Sequence, residues 1–238
     1  MVTTWGPRKS LIGVGSYSLR DAALLLGIPY AKLRRWAAGY WYSAADADRF
    51  SAALVPGQSD EIEDRILSFQ ELMEFAVIRF YRSEGVSMTV VRAARAKAQE
   101  LFRTEFPFAT RRLQTNGVGI FADLSDIEGV PHERLHLELS RSQVTHDEFV
   151  EPFFRKLDFD DDGQASAYWP LGRDKSVLLY ATRSFGQPII QRNGTPTFVL
   201  FQMREGGESV ARIASWYGLS HDEVEAALEY EGQLRNAA

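Results

Sequence analysis

Apolar residues recur at helical spacing near both ends of the chain and at alternating spacing in its middle. Residues 17–36 read Y-S-L-R-D-A-A-L-L-L-G-I-P-Y-A-K-L-R-R-W. Leu19, Ala22, Ala23 and Leu26 fall at i, i+3, i+4 and i+7, which predicts a helix with one buried face. Ser18 suits the N-cap, and Asp21 suits the positive end of that helix. Gly27 can take the left-handed conformation that ends it, and Pro29 sits where a second helix can begin. In the second helix Leu33 and Trp36 point inward, leaving Tyr30, Lys32, Arg34 and Arg35 on the outer face. Two short helices, a tight glycine turn and a basic second helix make a helix-turn-helix pattern.

Tyr40, Trp41 and Tyr42 form an aromatic cluster suited to a wing or a packed return strand, and residues 55–60 read as a loop. Ser68 and Glu71 form a capping box ahead of a stripe made by Phe69, Leu72, Met73, Ala76, Val77 and Phe80. Gly85 stops that helix. Ser87 caps another that runs to about Phe102, with Arg92, Arg95, Lys97 and Arg103 expected on its exposed side.

The pattern changes at Pro107. Phe108–Thr115 and Val118–Leu124 flank Asn116-Gly117, a strong hairpin signal. Leu135, Leu137 and Leu139 alternate as in a strand, Thr145–Leu157 reads as a helix, and Ala165–Trp169 and Val177–Ala181 read as strands around Pro170-Leu-Gly172. Pro188, Gly194 and Pro196 mark a loop-rich stretch. From Phe198 the pattern is helical to the end. A second helix-turn-helix candidate lies there, with Gly218 in the turn and Ser220 and Glu223 as a capping box.

Charge separates the two candidates. The chain has 238 residues and a net charge of −5. The balance is +5 over residues 1–40, −5 over 41–80, +4 over 81–115 and −9 over 116–238. A uniformly basic coat is excluded, but a basic head on an acidic body fits an anionic partner at one end. Residues 206–231 carry a net −5, which phosphates would repel. The C-terminal pair therefore reads as a protein-contact or dimerisation element.

There is no cysteine, which removes disulfides, thiolate metal sites and cysteine nucleophiles from consideration. No apolar stretch is long enough for a membrane span and no secretory leader is evident, so a cytoplasmic protein without membrane contact is expected.

The remaining motifs carry little chemistry. His132-Glu-Arg-Leu-His136 matches a zinc-peptidase pattern that works only on a helix, and its surroundings are strand-like; residues four apart on a strand lie roughly 13 Å apart. Asp158-Phe-Asp160-Asp-Asp162-Gly163 imitates a calcium loop, but its twelfth position is Trp169 rather than a bidentate glutamate, so a polar hairpin turn is expected. Gly13-Val-Gly15 lacks the third glycine of a dinucleotide loop. His132, His136, His146 and His221 are scattered. No catalytic residue, metal site or cofactor is assigned, and the chain reads as a non-enzyme.

Residues 17–36 resemble the helix-turn-helix of MerR-type regulators, and the helix pair at 68–102 resembles the part that follows the wing there. The C-terminal stretch is similar to a small helical domain of VapB-type antitoxins. That resemblance is carried by F-G-Q-P-I-I (185–190), G-T-P-T (194–197), E-G-G-E-S-V-A-R-I-A-S-W-Y-G-L-S (205–220) and D-E-V-E-A-A-L-E-Y-E (222–231). It implies an α+β, mainly α, fold in three parts. Residues 1–105 would form a MerR-like, winged DNA-binding helical domain, 106–184 a segment of central β-hairpins, and 185–238 a C-terminal helix-turn-helix-like antitoxin-type domain.

The function implied is an antitoxin that silences a PIN-domain ribonuclease toxin of the VapC type and represses its own operon, as a homodimer on operator DNA. Tyr30, Lys32, Arg34 and Arg35 would then enter the major groove and Arg20 would hold a phosphate. The resemblance assigns no toxin-binding residues. Many small antitoxins neutralise through a short disordered tail, whereas this C-terminus reads as folded to about Leu234. The alternative is a one-component MerR-like regulator whose C-terminal half senses a small molecule, with Tyr168, Trp169 and Tyr180 around a pocket.

Overall fold

A computed structural model describes residues 15–43, 47–55, 65–114 and 146–237. The fold is mixed α and β and mainly helical. Short strand β1 (Tyr17–Ser18) leads into α1 (Leu19–Leu26) and α2 (Tyr30–Ala38). The Ser18 hydroxyl accepts from the Asp21 N–H at 3.1 Å while the Asp21 carboxylate accepts from the Ser18 N–H at 3.3 Å. Gly27 ends α1 in the left-handed region (φ 56°, ψ 39°). The Ile28 N–H then closes the turn on the Ala23 carbonyl at 2.9 Å, the geometry that a glycine after a helix permits. Leu19, Ala22, Ala23, Leu26, Leu33 and Trp36 are buried, the face set by the 3.6-residue repeat.

β2 (Tyr40–Ser43) and β3 (Asp48–Ser51) form an antiparallel hairpin in which Trp41 pairs with Phe50 and Tyr42 with Arg49. β4 (Ile66–Leu67) returns to β1. Next come α3 (Phe69–Ser83), started by the Ser68–Glu71 capping box, and α4 (Met88–Phe102), started by Ser87. Phe69, Leu72, Met73, Phe75, Ile78 and Tyr81 of α3 are fully enclosed, and each such side chain contributes about 1.5–3 kcal/mol.

Because α3 is covered on nearly every side, its two buried acids need partners. The Glu71 carboxylate lies 3.1 Å from Arg65 Nη2, which also donates to the Val55 carbonyl at 2.8 Å. Arg65 Nη1 donates to the Ala37 carbonyl. This guanidinium thus ties the end of α2 to the start of α3. Glu74 receives Arg95 Nε at 2.7 Å and the backbone N–H groups of Phe108 and Ala109.

Two expectations change here. Arg95 is buried rather than on the outer side of α4, because Glu74 compensates its charge across the α3–α4 interface. Pro107–Ala109 form a 3₁₀ turn and residues 111–114 are helical, not a strand from Phe108. The Glu74 carboxylate gathers consecutive N–H groups there, a helical-turn geometry that a strand cannot present. The other half of that hairpin, the 135–139 alternation, the 132–136 motif and Gly13 lie outside the described residues.

α5 (His146–Phe154) precedes a four-stranded antiparallel meander of β5 (Leu157–Phe159), β6 (Ala165–Tyr168), β7 (Val177–Tyr180) and β8 (Pro188–Ile190), in that order. The aspartate-rich stretch is the β5–β6 turn, where Asp160 Oδ1 accepts from the Gln164 N–H at 2.8 Å. Alternation splits the sheet: Val177, Leu179 and Ile190 join the main core, whereas Leu178, Ile189, Ala167 and Trp169 form a separate small cluster. Helices α6 (Thr197–Glu205), α7 (Val210–Tyr217) and α8 (His221–Ala237) complete the chain. Among the described residues one main core cluster includes side chains from Tyr17 to Leu234. The Tyr17 hydroxyl donates to the Gly186 carbonyl at 2.7 Å and the Ser16 N–H to that of Phe185 at 3.0 Å, joining the first strand to the segment before β8.

Candidate nucleic-acid and partner surfaces

The α1–α2 pair sets out its cations by helical geometry. Burying Leu33 and Trp36 leaves Lys32, Arg34 and Arg35 exposed, with Tyr30 half-buried at the start of α2. Arg20 projects from α1, its guanidinium carbon 4.9 Å from the centre of the Tyr30 ring. Lys32 Nζ lies 5.1 Å from the Trp36 ring and the Arg35 guanidinium 5.6 Å from the Tyr40 ring. Contacts of this kind orient a cation without cancelling its charge. Among the described residues no carboxylate pairs with Arg20, Lys32, Arg34 or Arg35. Among the described residues the face is therefore a cluster of cations that no carboxylate neutralises by direct pairing, able to receive a polyanion.

The hairpin beside this face was legible only as an aromatic cluster. Trp41 is 71% exposed and packs at a tilt against Phe50, itself 52% exposed, with ring centres 5.2 Å apart. Arg92 of α4 anchors the hairpin through a 2.9 Å bond to the Ser51 hydroxyl, and partial burial lowers the pKa of its guanidinium. Phe50 lacked a sequence signal, because its exposure depends on pairing opposite Trp41.

The opposite end of the chain repeats the backbone and reverses the charge. Gly218 ends α7 in the left-handed region (φ 63°, ψ 35°), and the Leu219 N–H closes on the Ala214 carbonyl at 2.9 Å. The Ser220 N–H donates to Glu223 at 2.7 Å, and the Glu223 N–H donates to the Ser220 hydroxyl at 3.1 Å. Asp222, Glu225 and Glu229 face solvent. Phe198 of α6 and Trp216 of α7 are exposed large apolar side chains.

Phe185 is 71% exposed and, with Ser184, occupies the left-handed region although neither is glycine. Such backbone costs on the order of 1–3 kcal/mol per residue and persists where surrounding bonds over-determine it. Here the bonds to Ser16 and Tyr17 do so. Burial raises the pKa of the Tyr17 phenol, which keeps it protonated as the donor. The sequence pointed to the stretch but not to the exposed ring.

The three aromatics expected around a pocket, Tyr168, Trp169 and Tyr180, are divided between two packing clusters. Tyr168 stacks against Phe153, their ring centres 6.0 Å apart, whereas Trp169 donates to Asp158 at 2.8 Å and packs with Tyr180 in the separate cluster. No described helix is long and apolar enough to cross a membrane.

Residues 181–230 match the family model described as "Protein of unknown function (DUF433)". The chain is 28% identical over 226 residues to a Mycobacterium tuberculosis (strain ATCC 25618 / H37Rv) protein named "Putative antitoxin VapB45", a match covering 90% of this chain and 92% of that one. Its fold is similar to that in the X-ray crystal structure of Rv2018 from Mycobacterium tuberculosis, with a TM-score of 0.71 and 24% identity over 89% of this chain and 96% of the other.

Proposed function

We propose that this protein is the antitoxin of a toxin–antitoxin pair, neutralising a PIN-domain ribonuclease of the VapC type and repressing its own operon as a DNA-bound homodimer. The observation that carries the reading is likeness, along nearly the whole of both chains, to a protein named as a VapB antitoxin. The uncompensated cations of α1 and α2 support the DNA half. In this reading α2 presents Tyr30, Lys32, Arg34 and Arg35 to the major groove, and Arg20 holds a backbone phosphate. The folded C-terminal region supports the partner half: its acidic surface does not suit DNA, and it presents Phe185, Phe198 and Trp216 as apolar anchors of the kind buried at protein interfaces. In terms of domains, residues 1–105 would serve the operator, 185–238 the toxin, and 106–184 would connect them.

The test is co-expression of the tagged protein with the product of the neighbouring reading frame. A stable complex lacking the ribonuclease activity that the partner shows alone is the expected result. A folded protein recovered without that partner would overturn the neutralisation reading. Binding to a duplex covering its own promoter, measured separately, decides autorepression.

A further inference from the structure

A cleft of about 270 Å³ opens where the end of α1, α3, α5 and β6 meet. It lies away from the outer face of α2 and is independent of the antitoxin reading. Leu26, Phe80 and Phe153 give it an apolar wall, and Arg79, Lys156 and Tyr168 give it a polar one. The Phe80 and Phe153 rings are 5.6 Å apart, and Phe153 continues the stack to Tyr168. A flat apolar body placed there meets ring surface contributed by three separate elements.

Among the described residues that line it, the cleft carries charge of one sign. Among the described residues neither Arg79 nor Lys156 has a carboxylate partner; Lys156 Nζ donates to the Pro170 carbonyl at 3.2 Å and keeps further protons to give. The Tyr168 hydroxyl has no hydrogen-bond partner among the described residues. Arg79 lies close enough to this phenol to oppose the rise in its pKa that burial causes. Cationic and phenolic donors without a carboxylate partner beside an aromatic wall are the features that orient a ligand in a concave site.

We propose that this cleft binds a small aromatic carboxylate, its ring against Phe80 and Phe153 and its anionic group held by Arg79 and Lys156, with Tyr168 donating a further hydrogen bond. The volume suits a ligand of one or two fused rings: an engineered apolar cavity of roughly 150 Å³ accommodates a single benzene.

Titration calorimetry of the full chain with 2-naphthoate tests this, with 2-naphthamide as the neutral isostere. One saturable site for the carboxylate, at least ten-fold weaker binding of the amide, and at least ten-fold loss in both Arg79→Ala and Lys156→Ala are expected. Arg79→Lys, which keeps the charge, retains measurable binding and covers the event that the alanine variant misfolds. Absence of saturable binding, equal binding of the amide, or undiminished binding by folded Arg79→Ala and Lys156→Ala would each overturn the proposal.

Discussion

The α1–α2 and α7–α8 pairs are built to one register around their glycines. Residues five and four before the glycine, and one, six and nine after it, are buried in both: Ala22, Ala23, Ile28, Leu33 and Trp36 in the first, Ile213, Ala214, Leu219, Val224 and Ala227 in the second. Both turns close with the same 2.9 Å bond to the residue four before the glycine. Five and seven positions after the glycine, the first pair carries Lys32 and Arg34 where the second carries Glu223 and Glu225. Capping and apolar spacing therefore fix the shape of such a unit, while the outward positions are free to choose its partner. Shape alone does not mark a DNA-binding element; the sign of the outward charge separates the two.

The sharpest difference in stability between the pairs lies in how they are anchored. Arg65→Ala removes the bonds to Ala37 and Val55 and leaves Glu71 without its ion pair, a loss of about 3–5 kcal/mol expected for one partner of a buried pair. The turn of the second pair is held from outside by Arg192 and Asn193, which donate to the Gly218 and Tyr217 carbonyls at 3.1 and 2.9 Å. Asn193→Ala should cost about 1 kcal/mol. Denaturant unfolding of both variants measures the contrast, and equal losses would show that the two pairs are anchored alike.

Removing outward charge separates the pairs by partner. Arg34→Ala with Arg35→Ala is expected to weaken binding to a duplex carrying the promoter by at least about ten-fold and to lower the salt slope by roughly 2. Glu225→Ala with Glu229→Ala should leave both quantities unchanged. The shared turn predicts a similar response on both sides: Gly27→Ala and Gly218→Ala each cost about 1–2 kcal/mol, because each imposes a left-handed conformation on a residue with a Cβ. A thermal melt showing one variant unaffected would break the equivalence.

The smallest effect concerns pH. Burial raises the pKa of the Glu231 carboxyl of α8, against the opposing hydrogen bond from Thr197 and the charge of Arg235. A carboxyl whose folded pKa exceeds its unfolded value favours the native state below that window and loses this contribution as pH rises through it. Glu231→Gln should therefore flatten the fall in stability above the ordinary glutamate range, as read from melts at successive pH values. A steeper fall would mean that the hydrogen bond and Arg235 dominate.

Local signals made the helices legible. The capping boxes at Ser18, Ser68 and Ser220, the Ser87 cap and the glycine turns all lie within a few residues of what they control, and the strands expected at 165–169 and 177–181, on either side of Pro170-Leu-Gly172, are found at Ala165–Tyr168 and Val177–Tyr180. Distant partners hid the rest. Arg95 looked like a surface base because Glu74, which buries it, lies 21 residues away. Phe108 carried strand propensity, but the Glu74 carboxylate wraps its backbone into a helical turn. Neither the exposed ring of Phe185 nor the cleft beside Arg79 and Lys156 has a signature in the chain, since each arises where separate segments meet. The cations of α2 were legible because helix periodicity alone sets which of them face outward.

Titrating the purified protein into an RNA-cleavage assay of the neighbouring reading frame's product measures toxin neutralisation itself. For an antitoxin, cleavage is expected to fall to background as the protein reaches a stoichiometric amount, with Arg34→Ala plus Arg35→Ala inhibiting as well as the unaltered chain. Undiminished cleavage at several-fold excess of folded protein would contradict it.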